Sequence, residues 1–167
     1  MELIKSIYFD GYSKLSLILR EKLGLFYSCE SNIFYNKEEV FLNVFFDVHR
    51  KDDLVLALKR TIELLYDYRS QLDQDSLDRA KPFYTKNLDF LLDDSELLVD
   101  NMLGNIYDFK KNHNIEKEKK LFKEISVSDL LKAAEYIFSK ENMFVKINRS
   151  LTKVQKADIA EYLNREI

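Results

Sequence analysis

The sequence contains little cysteine, proline or glycine, and each shortage excludes a class of protein. The single cysteine, Cys29, cannot form an intramolecular disulfide or a four-cysteine zinc site, and it suits a reducing compartment. One proline and three glycines predict long regular elements with few tight turns. The glycines Gly11, Gly24 and Gly104 never cluster, which excludes a glycine-rich loop that binds phosphate.

Long apolar runs and an excess of positive charge are absent as well. No apolar stretch approaches the roughly 20 residues of a membrane-spanning helix, and Met1–Phe9 is too short and too mixed in charge for a signal peptide. The 26 basic and 29 acidic side chains give a net charge of −3, without the basic surface that binding to nucleic acid requires. We therefore expect a cytoplasmic protein that binds neither membranes nor nucleic acid.

Hydrophobic residues make up 46% of the 167 residues, which is enough for one packed domain over residues 1–167. Leu25–Tyr35 is rich in aromatic and β-compatible residues, and in Val40–Val48 every second residue is apolar, with Phe41 and Phe45 on the opposite face. The two segments predict strands that form an antiparallel hairpin. The shorter alternation in Asn142–Asn148 predicts a late third strand. Apolar stripes with helical spacing elsewhere predict several helices packed against the strands, so the expected fold class is α+β.

The predicted helices begin and end at recognisable residues. A helix over Ser13–Lys22 is expected to end at Gly24, because glycine tolerates the backbone that closes a helix. Capping boxes are expected at Asp75 with Asp78 and at Ser126 with Asp129. Pro82 lies inside a helical stripe and should kink or restart that helix, because proline lacks an N–H. Further helices are predicted near residues 2–9, 54–66, 95–110, 116–124 and 153–165.

No group of histidine, cysteine, serine or acidic residues in the sequence matches a known catalytic or metal-binding motif. His113 to Lys117 nearly fits the zinc motif H-x-x-E-H, but the lysine removes the second imidazole ligand. The other histidine, His49, has no ligand partner at helical spacing. Cys29 is interpreted as a small apolar residue of a strand. The acidic group Asp93, Asp94, Glu96 and Asp100 is either a general-acid site or the solvated start of a helix, and we favour the second interpretation.

One segment carries a more specific pattern. Residues 19–28, LREKLGLFYS, resemble a signature close to L-R-E-K-x-G-L-x-Y-S in the second lobe of the pitrilysin (insulinase) family of zinc metallopeptidases. The resemblance continues in the same order along the chain, through Val40–Val48, the helix at Asp53, Ser76–Lys81 (SLDRAK for the family's E-L-E-R-A-K), Ile125–Leu130 and Glu141–Val145.

The resemblance implies that the chain is part of the C-terminal lobe, which does not bind the zinc. The family's H-x-x-E-H motif belongs to the other lobe, so this chain is expected to hold no cofactor, metal ligand or catalytic residue of its own. The implied partners are an unfolded peptide or protein substrate and a zinc-bearing lobe or subunit. The chain starts just before the signature, so we expect the first strands of the lobe to be missing. The exposed edge near Val40–Val48 would then dock the missing piece or form a homo-oligomer.

The resemblance also assigns a role to two residues. In the family, an arginine and a tyrosine of this lobe reach the substrate, and the matching positions here are Arg20 and Tyr27. Without the resemblance, Arg20 is a charge on a helix surface and Tyr27 a packing residue of a strand. A second function of another class also fits the sequence, namely a non-catalytic protein-interaction domain that binds a partner through its helical faces and open strand edge.

We predict that the chain alone hydrolyses no peptide and binds no stoichiometric zinc, because its two histidines, His49 and His113, form no helical ligand pair. Metal analysis after dialysis and a broad peptide-cleavage assay test this. Tightly held zinc at one ion per chain, together with cleavage that a chelator stops, would contradict the prediction.

Overall fold

The computed structural model of the chain describes residues 1–9, 13–35, 39–50, 52–109 and 114–164. Strands β1 (Phe26–Tyr35) and β2 (Val40–Val48) pair antiparallel, and most of the other described residues are helical. The predicted α+β class is therefore confirmed. Gly11, His113 and residues 36–38, which connect the two predicted strands, lie outside the described residues.

The helices follow the predicted order closely. They are α1 (Glu2–Tyr8), a π-helix (Ser16–Lys22), α2 (Asp53–Tyr66), α3 (Tyr68–Gln71), α4 (Gln74–Asp93), α5 (Ser95–Phe109), α6 (Ile115–Glu124), α7 (Val127–Ile137), a 3₁₀ turn (Lys140–Asn142) and α8 (Lys153–Asn164). In the described part of the chain, no helix is both long and apolar enough to cross a membrane.

The hairpin has one covered face and one exposed face. Its register pairs Ile33 with Leu42 and Cys29 with Phe46, and all four side chains are half-buried. Cys29, Leu42 and Phe46 pack against the core. The intervening residues, such as Phe34 and Phe45, are exposed. Within the described residues the sheet has only these two strands, so each strand keeps one unpaired edge. The open edge expected along Val40–Val48 is therefore present, while its docking or self-association stays a prediction.

The core forms around the N-terminal helix. Tyr8 is fully buried, its ring meets Phe138 edge-on at 5.3 Å between centroids, and burial raises the pKa of its hydroxyl. Other large side chains that are fully buried are Leu3, Ile4, Leu15, Leu19 and Leu77. This cluster joins α1, the π-helix, α4 and α7 to the covered face of the sheet. A smaller cluster of Leu58, Ile62 and Ile159 attaches α8 to α2.

The third strand predicted over Asn142–Asn148 is not formed. Met143 has extended dihedral angles and contacts the core, yet no sheet in the described residues includes this segment. Ile147 packs against the smaller cluster, and Phe144 is exposed. Alternation predicts an extended backbone, but a strand also needs a neighbour whose N–H and C=O groups it reaches.

Of the two predicted capping boxes, one is observed and the other is replaced by a box that starts two residues earlier. Ser126 and Asp129 form the predicted capping box, whose hydrogen bonds hold the pKa of the Asp129 carboxyl below its usual value. The box predicted at Asp75 is wrong, because Asp73 is the N-cap of α4 and exchanges hydrogen bonds with Ser76. This earlier start buries Ser76.

The restart expected at Pro82 does not occur, because α4 continues through it as one helix from Gln74 to Asp93, while the kink stays a prediction. Contacts with α6 support the helix after the proline. Tyr84 stacks on Phe122 at 4.0 Å between ring centroids, and Lys119 lies 2.6 Å from the Asp89 carboxylate. These tertiary contacts stabilise the helix although proline has no N–H to donate to the preceding turn.

Substitution of Gly104 and of Gly24 by alanine should change the free energy of unfolding in opposite directions. At Gly104, inside α5, an added Cβ meets nothing within 4 Å, so Gly104→Ala should stabilise the fold by about 0.5–1 kcal/mol. Gly24 has φ of +61°, so Gly24→Ala should destabilise it by about 1–2 kcal/mol. Urea unfolding of both variants measures these changes. A loss of stability at residue 104, or none at residue 24, would contradict the assignments.

Candidate functional site

The sequence resemblance centres on the junction between the π-helix and β1. A short helical turn at residues 14–15 leads into the π-helix, and the Ser13 hydroxyl before this turn accepts from the N–H of Ser16 at 3.3 Å. The inner side of the helix is fixed by Leu15 and Leu19, which are fully buried. The wider π turn is closed by the N–H of Leu23, which donates to the carbonyl of Ile18 at 3.1 Å. Such π turns occur frequently at functional sites.

Gly24 turns the chain from this helix into the strand. Its left-handed backbone lets the N–H of Leu25 donate to the carbonyl of Leu19 at 2.8 Å. Leu25 and Phe26 then enter the core, where the Phe26 ring stacks on Phe46 at 5.6 Å between centroids. The predicted helix stop at Gly24 is confirmed.

An irregularity in β1 decides which side chain faces the solvent. Phe26 pairs with Val48 and Cys29 with Phe46, so Tyr27 and Ser28 together lie opposite the single residue Asp47. This extra residue is a β-bulge, which shifts the alternation of side chains by one. Strict alternation from Ile33 and Cys29 would turn Tyr27 toward the core. With the bulge, Phe26 is 2% exposed and Tyr27 is 68% exposed.

The structure brings the two predicted site residues together. The Arg20 guanidinium carbon lies 5.6 Å from the centre of the Tyr27 ring, and the Arg20 side chain is 47% exposed. A cation–π contact of this kind contributes about 0.5–1 kcal/mol at an exposed position. Arg20 Nε also lies 3.4 Å from a carboxylate oxygen of Glu21. The two side chains therefore lie on the same side of the junction, while their role stays a prediction.

Two neighbours of the pair were not identified as site residues from the sequence. The His49 ring lies 6.2 Å from the Tyr27 ring and is tilted by 49°. Asp47, opposite the bulge, lies 3.6 Å from the guanidinium of Arg149. The sequence around His49 contains no ligand partner at helical spacing and assigns it no other role. Its position beside Tyr27 follows from the strand register, which the bulge changes, so no local motif indicates it.

The exposed face of the hairpin adjoins the pair. Asp47 shares that face with Phe45 and Phe41, since alternate residues of a strand point the same way. Across the ladder, Phe34 pairs with Phe41, and all three phenylalanines are exposed. The result is an aromatic surface, formed by Phe34, Phe41 and Phe45, with Arg20 and Tyr27 at one end.

We find no metal-binding or general-acid site among the described residues. Among them, no group of three histidine, cysteine, aspartate or glutamate side chains is placed to hold a metal ion. In the acidic group at the start of α5, Asp94 caps the helix, because its carboxylate accepts from the N–H groups of Glu96 and Leu97 at 3.0 Å each. This contact supports the interpretation of the group as a helix start.

Compared with models of protein families and with curated proteins, the chain matches none. The resemblance to the pitrilysin family therefore rests on the sequence motifs quoted above and stays a prediction.

Proposed function

We propose that the chain is the substrate-binding part of a pitrilysin-like zinc metallopeptidase, whose zinc is held by a separate lobe. The single observation that carries the proposal is the exposed pair of Arg20 and Tyr27 at the edge of an aromatic sheet face. The family signature selects these two residues, and the fold independently brings them into contact on the accessible side of the junction.

The pair suits the recognition of a peptide bond. Arg20 offers a planar fork of donors that matches carbonyl or carboxylate oxygens and stays charged at any working pH. The Tyr27 hydroxyl can donate to an oxygen that gains negative charge as water attacks the peptide carbonyl. The contact between the two side chains limits their freedom before substrate binds, which lowers the entropy lost on binding.

The proposed zinc lies outside this set of residues. Among the described residues no three histidine, cysteine, aspartate or glutamate side chains are grouped to hold a metal ion, and the proposal assigns the zinc to the separate lobe. When bound in its own lobe, zinc would polarise the scissile carbonyl and lower the pKa of water. The contribution of this chain is to bind and orient the peptide.

The aromatic surface supplies a place for the side chains of the peptide. Phe34, Phe41 and Phe45 present apolar area to solvent on a rigid, hydrogen-bonded ladder. An unfolded peptide exposes apolar side chains that a folded protein buries, and their contact with these rings removes both surfaces from water. The proposed function therefore favours unfolded substrates with apolar side chains.

A binding measurement tests the aromatic surface without the zinc lobe. A fluorescein-labelled, unstructured peptide rich in leucine and phenylalanine should bind the chain, and Phe45→Ser should weaken its binding about tenfold. Phe90→Ser is the matched control, because Phe90 is equally accessible but lies on α4. Fluorescence anisotropy gives both dissociation constants. Equal losses for the two variants would mean that the sheet face is not the binding surface.

The role of the pair is tested by turnover in an assembly with the zinc-bearing lobe. Tyr27→Phe should lower the rate of peptide hydrolysis about a hundredfold, since it removes one hydrogen-bond donor to the oxyanion. Arg20→Lys should also lower it, because lysine cannot reproduce the fork. Both residues are exposed, so the thermal midpoint should not change. Unchanged turnover in both variants would contradict the proposed role and favour the alternative, a protein-interaction domain with no peptidase role.

A further inference from the structure

Helix α5 exposes a continuous apolar stripe that no described element covers. Val99, Met102, Leu103 and Ile106 follow the spacing i, i+3, i+4 and i+7, which places them on one side of a helix. All four side chains are between 39% and 58% exposed. Leu98, one position away from the stripe, is half-buried, so the helix is already packed on another side. We call these four residues the α5 stripe.

The charged residues of helix α5 are all acidic. Every charged residue from Asp89 to Asp108 is acidic, and the set comprises Asp89, Asp93, Asp94, Glu96, Asp100 and Asp108. Glu96 and Asp100 lie one turn apart, beside Val99 and Leu103 on the helix surface, and both are exposed. Asp89 is paired with Lys119 of α6. The acidic residues at the start of α5 itself form an acidic border along the stripe.

We propose that the α5 stripe binds an amphipathic helix of a partner protein whose apolar side is bordered by lysine or arginine. The spacing of the stripe matches the way a helix contacts another helix, through anchors at i, i+3, i+4 and i+7. The acidic border attracts a basic helix and repels an acidic one, which sets the choice of partner. A second copy of α5 is a poor occupant, because a symmetric contact would bring like charges together.

This inference does not rest on the proposed peptidase role. The α5 stripe is on a different element from Arg20, Tyr27 and the aromatic surface, and it recognises a helix rather than an extended peptide. Loss of one kind of binding should therefore leave the other unchanged.

A pair of synthetic peptides tests the charge rule. Both carry leucine at i, i+3, i+4 and i+7 of a helix-forming sequence. The first has lysine at each bordering position, and the second has glutamate there. In anisotropy measurements with the full chain, the lysine peptide should bind at least about tenfold more tightly than the glutamate peptide. Raising the salt concentration should reduce that difference, because salt screens exposed charges.

Variants of the chain locate the contact. Leu103→Ser should weaken binding of the lysine peptide about tenfold, whereas Leu121→Ser, at a leucine of similar exposure on α6, should not weaken it. The double variant Glu96→Lys with Asp100→Lys should bind the glutamate peptide in preference. Circular dichroism and the thermal midpoint establish that each variant is folded, which is expected at exposed positions.

Three results would overturn the proposal. One is equal affinity for the two peptides, and another is an unchanged preference in the double lysine variant. The third is a concentration-dependent dimer of the native chain that Leu103→Ser abolishes, because a second copy would then be the occupant of the α5 stripe.

Discussion

The left-handed turn at Gly24 is the constraint on which the candidate site depends. It ends the π-helix and directs Leu25 and Phe26 into the core. Leu19 before the turn and Phe26 after it are both buried in the core, and their packing fixes the helix against the strand. Arg20 and Tyr27 each follow a buried neighbour, so their contact is a consequence of how the core packs. A side chain other than glycine at this turn would strain the backbone that sets this geometry.

The sequence predicts the elements whose pattern is set by a local rule. Every second residue of Val40–Val48 is apolar, and the segment forms β2 with the predicted bounds. Ser126 and Asp129 form their capping box from side chains only three residues apart. Asn142–Asn148 also alternates, yet pairing depends on a neighbouring strand that a local pattern cannot reveal. At α4, both Asp73 and Asp75 have a partner three residues later. The observed start at Asp73 is the one compatible with the burial of Ser76.

The candidate site was partly predictable for a similar reason. The family signature identifies Arg20 and Tyr27, and the helix stop at Gly24 follows from the glycine itself. Whether Tyr27 faces the core or the solvent depends on the register of β1 against β2, which involves residues about 20 positions apart in the chain. His49 comes close to Tyr27 through the same long-range pairing. Neither fact is encoded in the ten residues of the signature.

The β-bulge has a consequence for how this site tolerates change over evolution. The exposure of Tyr27 depends on the bulge at Tyr27 and Ser28 as much as on the identity of the residues. A related chain can keep the arginine, the glycine and the tyrosine at the same spacing and lose the bulge, and regular pairing from Cys29 would then turn its tyrosine toward the core. An alignment of related chains that scores residue types alone would keep such a sequence. The local backbone is therefore part of the motif.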